Sequence, residues 1–153
     1  MQPNNRAGGT LGRPETADTI VYTFSEIIDP QSVLAGWTGA STNVVVRITD
    51  NASVDSVTVW NSANTVQLSL GSTNLAENYV TSNTTWGASG TASTMVQSGA
   101  TITITLGSQA GATRTAAQNR TAVWTPSAAA TDRAGNASTT TNVNEGGALD
   151  PNF

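Results

Sequence analysis

The stretch Val21-Tyr22-Thr23-Phe24-Ser25-Glu26-Ile27-Ile28-Asp29-Pro30-Gln31-Ser32-Val33-Leu34-Ala35-Gly36-Trp37 changes its period halfway along. In the first half Ile20, Tyr22 and Phe24 fall on one face and Val21, Thr23 and Ser25 on the other. That period-two pattern is a strand buried on one side. In the second half Asp29 can cap a helical turn, Pro30 suits its first position and Gly36 suits the residue past its end. The stretch therefore predicts a strand over 19–26 and one short helical turn over 29–36, with Trp37 covering the end of the fold.

Outward from this stretch the same alternation recurs. Val44, Val46 and Ile48 oppose Val45, Arg47 and Thr49 over 43–49. Val57 and Val59 oppose Thr58 and Trp60 over 54–61, and Asn61-Ser62-Ala63-Asn64 turns into 65–70, a strand expected to pair with it. A strand at 79–81 and a long polar loop over 84–93 follow. The plainest later strand is 100–106, where Ile102, Ile104 and Leu106 alternate with Thr101, Thr103 and Thr105. Two more are predicted at 121–125, ended by Pro126, and at 137–143. Residues 1–17, rich in Asn, Gly and Pro, read as an arm or linker, and 144–153 as a partly ordered tail. Short strands with regular turn signals and almost no amphipathic helix predict one all-β domain over 18–143. The expected architecture is an antiparallel β-sandwich of 7–9 strands, with a closed barrel as the structural alternative.

Composition removes much chemistry. The 153 residues contain no Cys and no His, and the six basic residues are all Arg, so Lys is absent as well. Thiol catalysis, Cys-ligated zinc, an imidazole base, Schiff bases and Lys–Asn crosslinks are thereby excluded. The net charge is −4, and the arginines stand singly at 6, 13, 47, 114, 120 and 133. Nucleic-acid binding wants a clustered basic footprint, so none is expected. Charged residues are only 10% of the chain, and hydroxyls and amides take their place on the surface. Apolar runs are too short to span a bilayer, so no membrane insertion is expected. Met1-Gln2-Pro3 does not start a signal peptide. The expectation is a module taken from a longer exported protein, or a protein that leaves the cell by another route.

Two segments carry a resemblance. Phe24-Ser25-Glu26-Ile27-Ile28-Asp29-Pro30-Gln31-Ser32-Val33 resembles the opening strand and turn of bacterial Ig-like domains of the S-layer and surface-protein type. Trp124-Thr125-Pro126, with Ala130-Thr131-Asp132-Arg133-Ala134-Gly135-Asn136-Ala137, resembles the closing segment of that family, where a D-x-x-G-N turn precedes the last strand. Phe24, Glu26, Asp29, Pro30, Trp124, Pro126 and Gly135 are the positions that carry the motif. The resemblance implies an Ig-like sandwich acting as a non-catalytic structural or adhesive module, extracellular or at the cell surface. Its partners would be neighbouring domains, copies of itself, or a cell-surface scaffold. Related modules decorate phage particles, which makes a virion decoration or tail module the alternative. The chain is longer than the usual module between Gly36 and Gly99, which leaves strand order there open.

Five further features bear on chemistry. Glu26 and Asp29 have the composition of a glycosidase carboxylate pair, but a cap and a solvated strand end account for them, and no enzymatic activity is expected. Asp50, Asn51, Asp55, Asp132 and Asn136 sit at turns where oxygens could gather around calcium, with Asp132 and Asn136 the candidate ligands. The favoured account is that Asp132 and Asn136 close a turn by side-chain-to-backbone hydrogen bonds, with no cofactor. Among the four tryptophans, Trp60 and Trp124 are expected in packing. Trp86, in the polar loop, is the candidate glycan contact of a carbohydrate-binding module. The Thr101-x-Thr103-x-Thr105 ladder is one copy of a pattern that ice-binding surfaces repeat, and β propensity explains it without a ligand. Asn51, Asn83, Asn119 and Asn136 each begin an N-x-S/T sequon.

Overall fold

The computed structural model describes residues 1–116, 118–147 and 149–153. The fold is all-β and antiparallel. Its strands are β1 (Gln2–Asn4), β2 (Thr19–Thr23), β3 (Thr42–Thr49), β4 (Ser56–Asn61), β5 (Ser72–Asn74), β6 (Thr84–Trp86), β7 (Ser93–Ser98), β8 (Thr101–Thr105), β9 (Gln109–Ala110), β10 (Val123–Thr125) and β11 (Val143–Asn144). One helical turn, α1 (Pro30–Val33), follows β2. The sheet runs β1-β2-β8-β7-β3-β4-β5-β10-β11, and β6 and β9 branch from it where β6 pairs β3. Strand β3 is the junction: Thr42–Val44 pair with β7, whereas Val46–Ile48 pair with β6.

The sheet curls until its ends meet. Gln2 Nε2 donates to Glu145 Oε1 at 2.8 Å, and Gly146 N–H donates to the Met1 carbonyl at 3.4 Å. Inside the curl lies one apolar core that includes Ile20, Tyr22, Val44, Val46, Ile48, Val57, Val59, Met95, Ile102 and Ile104. All but Met95 are inward members of the alternations read from the sequence. Val45 breaks the pattern, because it is fully buried although it belongs to the opposite face. Its register partner is Trp60, over which the Arg47 guanidinium stacks at 3.5 Å. An arginine lying on an indole thus covers the outer side of the longest strand.

On the outer face of β2, β8 and β7 the register lines up Thr19–Thr105–Thr94, Val21–Thr103–Val96 and Thr23–Thr101–Ser98. The threonine ladder is therefore the middle of three uncharged rows of hydroxyls and methyls.

The start of the turn is as expected: the Asp29 side chain accepts from Gln31 N–H at 3.1 Å and Pro30 opens α1. Its end is earlier than expected, at Val33 with Leu34 as the cap, and Gly36, at φ +77°, lies in the turn that follows. Trp37 is buried, its indole N–H donating to the Ala40 carbonyl at 2.6 Å.

Four expectations are corrected. The segment 84–93 is a loop only over 87–92: it opens with β6 and ends at the start of β7, and Ser72–Asn74 is a strand as well. Short threonine- and serine-rich strands carry too few apolar side chains to show a period. Residues 65–70 do not form a strand. They reach β4 through the Trp60–Gln67 bridge, the Asn61 N–H to Val66 carbonyl bond and the Leu68 N–H to Val59 carbonyl bond. The last strand is Val143–Asn144 rather than 137–143, where only the Thr131–Ala137 bridge is made.

Finally, neither chain end stands outside the domain. Gln2–Asn4 pair with β2, and the buried Asp18 carboxylate holds the segment between them by accepting from Arg6 N–H (2.9 Å) and Glu15 N–H (2.6 Å). Pro151, Asn152 and Phe153 are buried, Phe153 edge-on to Tyr79 at 5.5 Å. Asn152 Nδ2 donates to the Leu75 carbonyl at 3.0 Å, and the Tyr79 hydroxyl donates to the Pro151 carbonyl at 2.5 Å.

Candidate functional site

Strand β2 and the segment after it form one wall of a cleft of roughly 420 Å3. Thr23, Phe24, Ser25, Glu26 and Ile28 line that wall. Trp124 of β10 and Pro126 form the floor, and Asp132, Asn136, Ala137, Ser138 and Thr139 the other wall. The two segments that carry the family resemblance, about a hundred residues apart in sequence, face each other across it.

Aromatic packing shapes the floor. Trp124 is buried, with its indole N–H donating to the Leu70 carbonyl at 2.7 Å. Tyr22 tilts onto it at 5.2 Å, and Phe24 meets it edge-on at 5.1 Å and 88°. Edge-to-face geometry sets the positive ring edge against the negative face, a favourable arrangement for the partly buried Phe24 on the buried Trp124. Burial of Tyr22 pushes its phenol up to about 12, so it stays neutral and acts as packing.

Below the cleft the two segments are fastened together. Ile28 bridges Asp132, and Asp29 N–H donates to the Thr131 carbonyl at 2.8 Å. The Ser32 hydroxyl donates to the Asp29 carbonyl at 2.7 Å and accepts from Thr131 N–H at 2.9 Å. One serine of α1 thus ties the helical turn to the closing segment.

The Asp132 carboxylate is occupied by its own turn. Oδ1 accepts from Ala134 N–H and Asn136 N–H, and Oδ2 from Asn136 Nδ2, each at 2.8 Å. The Asn136 side chain first, then the Asn136 and Ala134 backbone N–H groups, hold its pKa below the ordinary carboxylate range. Gly135 takes φ +88°, which lets the turn close without a Cβ in the left-handed region. An acid held ionised by three donors cannot deliver a proton near neutral pH, so a general-acid role does not fit Asp132.

The residues singled out in the sequence fall into three places. Phe24, Glu26, Trp124, Pro126, Asp132 and Asn136 converge on the cleft. Asp29 and Pro30 lie beside it on α1, bordering a shallower groove with Trp37 and Arg133, and Gly135 sits in the turn. Trp86 lies elsewhere and is fully buried at 0% exposure in the core, which corrects its expected role as a glycan-stacking surface.

The turn acids expected around calcium also serve the backbone. Asp50 accepts from Ala52 N–H at 2.9 Å, and the fully buried Asp55 accepts from Tyr79 N–H at 2.6 Å and Val80 N–H at 2.8 Å. Among the described residues no group of three or more acidic side chains gathers as a metal site would require. Sequence reasoning missed Ser25, Ile28, Ser138 and Thr139 as cleft residues. Ser25 and Ile28 stand inside the opening motif, but only the approach of the closing segment makes them a wall.

Among the described residues no helix is long and apolar enough to cross a membrane. No family model, no curated protein and no solved structure matches the chain.

Proposed function

We propose that the chain is a non-catalytic structural or adhesive module of a bacterial surface or secreted protein, built as an Ig-like sandwich. One observation carries this: the opening and closing segments that resemble the surface-protein family are bonded to each other through Ile28–Asp132, Asp29–Thr131 and Ser32–Thr131. The Asp29 and Asp132 carboxylates each serve a local turn beside that junction, which supports a structural reading of them. Asp29 caps α1 and Asp132 closes the turn. The outer rows of β2, β8 and β7 are uncharged and hydroxyl-rich, which suits contact with neighbouring modules better than capture of a charged substrate.

Protease shaving of intact cells of the natural source tests the proposal. An antibody against the folded chain is expected to label intact cells and to lose its label after shaving. Label that appears only after lysis, or only on released phage particles, overturns it.

A further inference from the structure

Beside β7, away from the cleft, two shallow grooves share Thr38 and Arg133. One, of roughly 330 Å3, is lined by Ile27, Gly39, Val96 and Gln97; the other, of roughly 410 Å3, by Asp29, Pro30 and Trp37. No residue of β1 or of the segment after β11 lines either groove. Ile27 is 45% exposed while the other five isoleucines are buried, and Val96 is 39% exposed. Single exposed apolar residues are ordinary, but here two of them flank free charges. Among the described residues Arg133 makes no ion pair, and Asp29 accepts from the α1 backbone but pairs with no cation. The two charges border one groove without pairing in one copy of the chain. The backbone of this face is fixed from within. Trp37 Nε1 donates to the Ala40 carbonyl at 2.6 Å, and Gln97 N–H to the Gly39 carbonyl at 2.9 Å. Gln97 Nε2 donates to the Ile28 carbonyl at 2.8 Å and the Gly99 carbonyl at 3.2 Å. Arg133 itself stands in the turn that the Asp132 carboxylate closes. A surface held in this way loses little backbone freedom on association.

We infer that this face binds a second copy of the chain about a two-fold axis. An isologous contact presents one patch to itself, so the patch must carry both members of every complementary pair. This one does. Ile27 and Val96 supply the apolar centre, and Arg133 of each copy meets Asp29 of the other, twice over by symmetry. Apolar side chains in the middle exclude water, and opposite charges at the rim fix the orientation of the two copies. A head-to-tail contact would need the acid on a different face, and it would grow into a chain instead of closing as a pair. The contact does not depend on the surface-module reading: self-association is measured in solution and display on intact cells, so either can fail alone.

Sedimentation equilibrium of the whole chain tests this. Between about 10 μM and 1 mM the mass is expected to rise from monomer to dimer and no further, and the rise to weaken as salt is added. Arg133→Glu and Asp29→Arg are each expected to lower the association constant by about tenfold or more, because the axis repeats each like-charge contact. Mixed in equal amounts, the two variants are expected to dimerise again, since both contacts between unlike chains then join opposite charges. Asp29→Asn, which keeps a capping acceptor for α1 without the charge, is expected to weaken association by about threefold. Ile27→Ser, at an exposed position outside the core, is expected to weaken it by about tenfold. Monomer across the whole range, growth beyond the dimer, or a mixture no more associated than either charge variant alone overturns the proposal.

Discussion

Asp55 shows what a single side chain does here. It is fully buried, and among the described residues no arginine pairs with it; its carboxylate accepts instead from the backbone N–H groups of Tyr79 and Val80. Its own N–H donates to the Glu77 carbonyl at 2.9 Å, and its carbonyl accepts from Leu75 N–H at 2.8 Å. Four backbone groups of the 75–80 segment are thus bonded by one residue. Asp55→Ala leaves two buried donors without acceptors and is expected to cost about 3 kcal/mol, lowering Tm by about 10 °C in a thermal melt. A melt within about 2 °C of wild type would show that water or a shifted backbone replaces the carboxylate. Nothing in the local sequence Val54-Asp55-Ser56 distinguishes this role from a solvated turn acid, because the groups it satisfies lie over twenty residues away. The tryptophans make the same point. Trp86 and Trp124 are alike in being core residues, although flanking glycine and serine made the first look exposed.

At the scale of elements, α1 is only four residues long and is stabilised by its ends and its tertiary bonds rather than by its own helical propensity. Asp29 caps it, Ser32 ties it to Thr131, and Val33 is buried beneath. Asp29→Ala is expected to lower stability by about 1 kcal/mol, read as a reduced midpoint with unchanged slope in a urea titration. A loss several times larger would mean that the cap also supports the cleft wall. Elements with strong alternation were legible: β2, β3, β4 and β8 appear where Ile, Val and Tyr alternate with Thr. The strands β5, β6 and β7 were not, since Ser72–Asn74, Thr84–Trp86 and Ser93–Ser98 bury few apolar side chains each. They are strands because a neighbour supplies their hydrogen-bond partners. The reverse happened at 65–70, where Val66, Leu68 and Leu70 alternate but Val66 is 60% exposed and no ladder forms.

At the scale of the whole molecule, the curled sheet has its two ends tied by a seam between β1 and the residues after β11. Glu145 sits in that seam, accepting from Gln2 Nε2 and, at 3.1 Å, from Ala122 N–H. Burial first, and the nearby Asp150 charge, push its carboxyl up to about 7, while the Ala122 N–H and the Met1 ammonium pull it down. A carboxyl with a raised folded pKa binds more protons when folded than when unfolded between about 4.5 and 7. Its contribution to stability is therefore largest below the unfolded value and declines as pH rises to about 7, levelling off above it. Glu145→Gln is expected to remove that decline. The difference in Tm between variant and wild type should grow in favour of the variant from pH 5 to pH 8. A constant difference across that window would show that Glu145 does not titrate there.

By itself the sequence determined the class of the molecule. Period-two apolar spacing set the all-β character, the inward faces of the long strands and the Asp29–Pro30 turn, because each depends on neighbours within a few residues. Missing Cys, His and Lys bounded the chemistry for the same reason: composition is independent of fold. Tertiary structure alone decided the rest. It drew residues 2–4 and 151–153 into the domain, made strands of weakly patterned polar segments and placed Trp86 in the core. It also brought Phe24 and Glu26 opposite Asp132 and Asn136 across one cleft. These outcomes depend on hydrogen-bond partners and burial supplied by residues far away in the chain, which local spacing does not record.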